Sequence, residues 1–145
     1  MEDKDILMFL KTKQLRARVI DKARIKSMLD SAENTIRVTN RVSLDEESAT
    51  LIFREYYESI RQIGDAQWWL MGYEPRNHEV SIEILRENDI KEKLLLNKLL
   101  RFKKIRNNAN YRGIKTSEEQ AKEIVEFWDK CSKELIGKIL NQLNQ

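Results

Sequence analysis

The side chains with the most chemical promise lie together in residues 101–113, RFKKIRNNANYRG. Arg101, Lys103, Lys104, Arg106 and Arg112 bring positive charge there, with no acid among them. Asn107, Asn108 and Asn110 add amide groups, and Tyr111 adds a phenol. Guanidinium and ammonium groups beside amides suit an anion, and a phosphate above all, because charge-assisted hydrogen bonds are about twice as strong as neutral ones. The plainer alternative is structural. In it Arg106 pairs with an acid on a neighbouring helix, and the asparagines cap a helix end.

Other chemistry is thinly represented. There is no Gly-rich phosphate loop and no G-x-S-x-G elbow. One His and one Cys do not make a zinc site by themselves. Glu79–Glu83 and Glu119–Glu123 have helical spacing, but a carboxylate di-metal site in a bundle wants Glu-x-x-His on two helices. No Glu stands three residues before His78. These acids read as solvated surface, and no metal or cofactor is expected. His78 opens a short helical pattern, so its first reading is a capping or packing residue. Cys131 sits on an apolar stripe, which suits a buried, inert thiol.

The elements that position these groups follow from apolar spacing. Residues 1–10 suggest a helical turn packed on the bundle or on a partner, a possible extension over 1–12. The period of three to four over about 13–41 predicts a helix, carried by Leu15, Val19, Ile25, Met28, Leu29, Ala32, Ile36 and Val38. Ser43 and Glu46 form a capping-box pattern for a helix over about 44–71. Inside it, Gly64 offers a close approach for a neighbour. Gly72 and Pro75 then stop it. Trp68, Trp69 and Tyr73 crowd its end and read as core and dimer packing rather than as a ligand cage. A short helix over 78–85 follows. Asn88 and Asp89 suggest a cap for a helix carried by Ile90, Leu94, Leu95, Leu99, Phe102 and Ile105, with 107–113 as the connection. Thr116 with Glu119, and Ser117 with Gln120, give overlapping boxes for a last helix with Ile124, Trp128, Cys131, Leu135, Ile139 and Leu143 on its stripe. Four long helices and one short one predict an all-α, up-and-down four-helix bundle in a single domain, residues 1–145.

Composition agrees. The 145 residues include 35% charged side chains, four Gly and one Pro, a mix that suits long amphipathic helices. No run approaches the ~18 apolar residues of a membrane span. The N-terminus, with Glu2, Asp3 and Asp5, lacks the pattern of a secretory signal. A lone cysteine suits a reducing compartment. The reading is a soluble cytoplasmic protein without a membrane partner. Net charge is only +3, but basic residues concentrate in 11–41 and 91–115, with an acidic middle. Neighbouring helices pair those charges, or the two basic segments meet on one face and attract phosphate.

Two segments carry a family resemblance. GYEPRNHEVSIEIL, residues 72–85, resembles the junction of HEPN domains in which a Gly, a Pro-containing turn and a His open a helix. IRNNANYRG, residues 105–113, resembles their signature segment, an Arg, a polar residue and then a His. Phe53-Arg54-Glu55-Tyr56-Tyr57 looks familiar as well, and the likeness covers about 15–143. It implies a helical bundle that homodimerises, often a metal-independent endoribonuclease, and often one paired with a nucleotidyltransferase in toxin–antitoxin systems. Carried over, Arg106 matches the signature Arg and Asn107 the polar residue beside it. The His slot falls on Tyr111, and a phenol of pKa about 10 is a poor base near neutral pH. The resemblance therefore implies binding of RNA or a nucleotide by Arg106, Asn107, Asn110 and Tyr111, beside Lys103, Lys104 and Arg112. One alternative is a ribonuclease with Tyr111 or His78 in the missing role. Another is a non-enzymatic interaction module.

Overall fold

The periodic apolar runs do fold as helices. The computed structural model describes residues Met1–Gln145 and contains six of them with one short antiparallel ribbon. They are α1 (Asp3–Lys11), α2 (Lys22–Thr39), α3 (Ala49–Leu70), α4 (His78–Leu85), α5 (Lys98–Arg112) and α6 (Glu118–Leu143). The strands are β1 (Leu15–Ala17) and β2 (Tyr73–Pro75), with Leu15 opposite Pro75 and Ala17 opposite Tyr73. A 3-10 turn, Lys93–Asn97, leads into α5. The expectation of an all-α chain holds at this level.

α3 is the element the others are built on. Helices α2, α4, α5 and α6 all pack against it. Its buried residues, from Ile52 and Phe53 to Trp68 and Trp69, surround most of its circumference, as befits a central helix. The main core is pinned by Phe102, which meets Phe53 and Phe127 edge-to-face with ring centres 5.9 and 5.6 Å apart. Each such fully buried ring contributes about 2–3 kcal/mol from area alone. A second, smaller cluster gathers Ile6, Phe9, Leu15, Trp68, Val80 and Ile84. Its centre is Trp68, whose indole N–H donates to the Val80 carbonyl at 2.8 Å. So residues 1–12 are tied into the fold by Ile6 and Phe9.

Several boundaries differ from expectation, each for a local reason. The stretch 13–41 is not one helix. Residues 15–17 pair as β1, and α2 starts only after Asp21, whose side chain accepts the Arg24 N–H at 3.0 Å. Leu15 belongs to the smaller cluster, and Val19 is 89% exposed. The Ser43–Glu46 box does not form. Asp45 instead accepts the N–H groups of Glu47 and Ser48, each at 2.9 Å, and α3 begins at Ala49. Asn88 is no helix cap. It is buried, donating to Gln67 Oε1 at 2.9 Å and to the Leu85 carbonyl at 3.0 Å. The next helix therefore starts late, and Leu94 is left 83% exposed. Residues 107–112 are helix, not connection, and α5 ends at Gly113 with φ of 66°. Only the Ser117–Gln120 box caps α6. Thr116 is buried, and its N–H donates to Thr50 Oγ1 at 3.0 Å.

Other expectations hold. Gly72 ends α3 with φ of 91°. Trp68 and Trp69 are core, and every stripe residue expected on α6 is buried. Burial pushes the Cys131 thiol up to about 11, far from a reactive thiolate.

Candidate functional site

Because α5 continues through the polar cluster, its side chains are sorted by helical phase rather than crowded into a turn. Lys103, Arg106, Asn107 and Tyr111 stand at i, i+3, i+4 and i+8, on one face. That face looks across to the start of α4 and to Tyr57 of α3. Together they enclose a hollow of about 340 Å³, with Asn77, His78 and Glu79 forming the opposite wall. Of the expected residues, Lys103, Arg106, Asn107, Tyr111 and His78 therefore meet in one place. Lys104, Asn110 and Arg112 are exposed and line no part of it.

Arg106 is half-buried and has no carboxylate partner. Its guanidinium carbon lies 5.7 Å from the centre of the Tyr57 ring, which holds the cation by its π-face and leaves its N–H donors for a ligand. Lys103 is partly engaged, with Nζ 3.4 Å from Glu79 Oε1. Arg101, by contrast, is taken up by Glu123, its Nη2 3.2 Å from Oε2. Burial pushes the Tyr57 phenol up to about 12, so it stays protonated and uncharged.

His78 is the first residue of α4. Asn77 caps that helix, its side-chain oxygen accepting the N–H groups of Glu79 at 3.0 Å and Val80 at 3.2 Å. Partial desolvation, with the charges of Arg61 and Arg106, holds the imidazole below its usual 6.5. It is therefore neutral at pH 7 and able to accept a proton.

A second ionic group lies on the neighbouring stretch of α3 and α4. Arg61 bridges Glu58 and Asp65, and the Ser81 hydroxyl donates to Asp65. The Arg61 hydrogen bond lowers the Glu58 pKa, whereas burial raises that of Asp65. α4 can sit this close because Gly64 has no side chain. A Cβ there would lie 2.2 Å from the Ser81 carbonyl oxygen.

The hollow thus offers two cations, one carboxylate, one neutral imidazole, two amides and two phenols around an open space. That set can bind a phosphate and can accept a proton from a hydroxyl held against it. Sequence reasoning missed Tyr57 as a site residue, along with Asn77 and Glu79. Asn before a helical run was a legible cap signal, but nothing local tied Tyr57 to α5. No helix is long and apolar enough to cross a membrane. Comparison of the chain with family models, with curated proteins and with solved structures finds no match.

Proposed function

We propose that the hollow binds a phosphate group of RNA or of a nucleotide, and that the chain is a HEPN-like helical module built on α2, α3, α5 and α6 as an up-and-down bundle. The observation that carries this reading is Arg106. It is cationic, free of any carboxylate, and shares a concave face with Lys103, Asn107 and Tyr111. A guanidinium so placed presents paired N–H donors to two phosphate oxygens. Lys103 adds a second charge once its exposed contact with Glu79 opens, which costs little in water. Tyr111, 77% exposed, offers a ring on which a base can stack.

The test is RNA binding followed against salt. Affinity should fall as salt rises, because bound phosphates release counterions. Arg106→Ala should weaken binding at least ten-fold and keep the helical fold. Binding that ignores salt, or survives Arg106→Ala unchanged, rejects the proposal.

A second reading rests on His78. A neutral imidazole in the same hollow as Arg106 suits a metal-independent ribonuclease. His78 would take the proton of a 2′-hydroxyl as that oxygen attacks the adjacent phosphorus, the P–O5′ bond would break with the departing 5′-oxygen protonated by water, and Arg106 would hold the phosphate charge. The products would be a 2′,3′-cyclic phosphate and a free 5′-hydroxyl. Cleavage in EDTA that disappears in His78→Gln supports it; RNA left intact by the wild-type chain rejects it. The same resemblance extends the proposal to a homodimer and to a nucleotidyltransferase partner, and the lone cysteine extends it to a reducing cytoplasm. Light scattering of the pure protein and co-purification test the first two.

A further inference from the structure

On another face of the molecule, α2 and α6 diverge over a groove of about 760 Å³ that shares no residue with the hollow around Arg106. Its floor is apolar and largely buried: Ile36, Trp128, Ile136 and the partly buried Leu140. Gly137 of α6 lies in its wall, and a Cβ there would touch nothing within 4 Å. Within the floor stands Ser132, only 8% exposed, with a hydroxyl that bonds to no other group of the chain. Above it, at the rim, stand Arg37 and Lys133 against the single acid Glu33. Lys133 forms no ion pair, and Arg37 donates only to the Asn34 side chain, at 2.6 Å.

We propose that this groove binds a small amphipathic anion, an apolar ring system bearing one carboxylate or sulfonate. The volume is that of a small-molecule site, which characteristically pairs apolar walls with a few placed polar groups. The apolar body lies along Trp128, Ile136 and Leu140, over Gly137. The anionic head meets Arg37 and Lys133, and the Ser132 hydroxyl donates to a polar atom of the ring system. The excess of positive charge at the rim favours an anion over a cation.

The probe is 1-anilinonaphthalene-8-sulfonate, read by its own fluorescence and by energy transfer from tryptophan. Wild-type protein should bind one equivalent, saturably, and more weakly as salt rises. Gly137→Leu, which fills the groove, should weaken binding at least ten-fold. Lys133→Glu, a change at the exposed rim that leaves the floor intact, should weaken it several-fold and flatten the salt dependence. Should Gly137→Leu fail to fold by circular dichroism, Lys133→Glu decides alone. Absence of saturable binding overturns the proposal, as does wild-type affinity in the folded variants. So does dye release with rising protein concentration, which would mean that a second copy covers the groove.

Discussion

At the scale of single residues, His78 is the group whose state can be watched directly, because the chain has only one histidine. Its pKa lies below 6.5 in the free protein, depressed by desolvation and by Arg61 and Arg106. A bound phosphate would bring negative charge to the same hollow and reverse the sign of that influence. Proton NMR titration of the imidazole should therefore give a midpoint under 6.5 without ligand and a higher one with a saturating nucleotide. An unchanged midpoint would mean that the phosphate sits elsewhere. The folded chain also takes up this proton less readily than the unfolded one. His78 thus withdraws stability as pH falls through about 6.5, and adds nothing above it. Arg106, Asn107 and Tyr111 share one hollow, and they were singled out by the basic, amide-rich segment and the family resemblance. Tyr57 was not, because its place under Arg106 depends on how α3 crosses α5, which no local pattern encodes.

At the scale of elements, the contact between α3 and α4 sets the shape of the site. Gly64→Ala drives a methyl group into the Ser81 backbone, which cannot rotate away as a side chain can. It should destabilise the fold by about 2–3 kcal/mol, and shift α4 enough to weaken ligand binding at His78. The control is Gly137→Ala, also in a helix but with open space around it. That change should stabilise by about 0.5–1 kcal/mol. Urea denaturation of both variants measures the contrast, and equal effects would refute the close approach. The value of Gly64 was readable in advance, since a lone glycine inside a strong helical stripe asks for a reason. The ends of the helices were less readable. Asn107, Asn108, Asn110 and Tyr111 have weak helix propensity, yet Ile105 and Ala109 are buried and draw the helix onward to Gly113. Conversely, Leu15 suits a helix stripe but finds its cluster through a strand.

At the scale of the whole molecule, charge and packing divide the chain differently from the sequence pattern. The basic segment 11–41 is not neutralised by the acidic middle. Its only ion pairs are Arg18 with Glu74 and Arg24 with Asp21. Around α5 the pairing is heavier, with Lys98 and Arg101 on Glu123, which is why Arg106 stands out as free. Alternating charge along the chain could not separate these cases, because it says nothing of which faces meet. The smaller core makes α1 a working part of the fold. Phe9→Ala removes an edge-to-face partner 6.3 Å from Trp68 and should cost about 3 kcal/mol. The check is urea denaturation with tryptophan emission, which should shift red as Trp68 gains water. A loss under 1 kcal/mol would show that α1 merely rests on the surface.

The turn between α1 and β1 reaches further than its size suggests. The Gln14 carbonyl accepts the Arg76 N–H at 2.8 Å, and its side-chain oxygen accepts from Asn77 Nδ2 at 3.0 Å, across 63 residues of chain. Asn77 is also the cap that seats His78. Fraying of the leading α1–β1 segment would thus unclasp the imidazole wall of the hollow while leaving α5 and its guanidinium in register. Anything that peels away the first segment would act as a remote dimmer on one half of the pocket only.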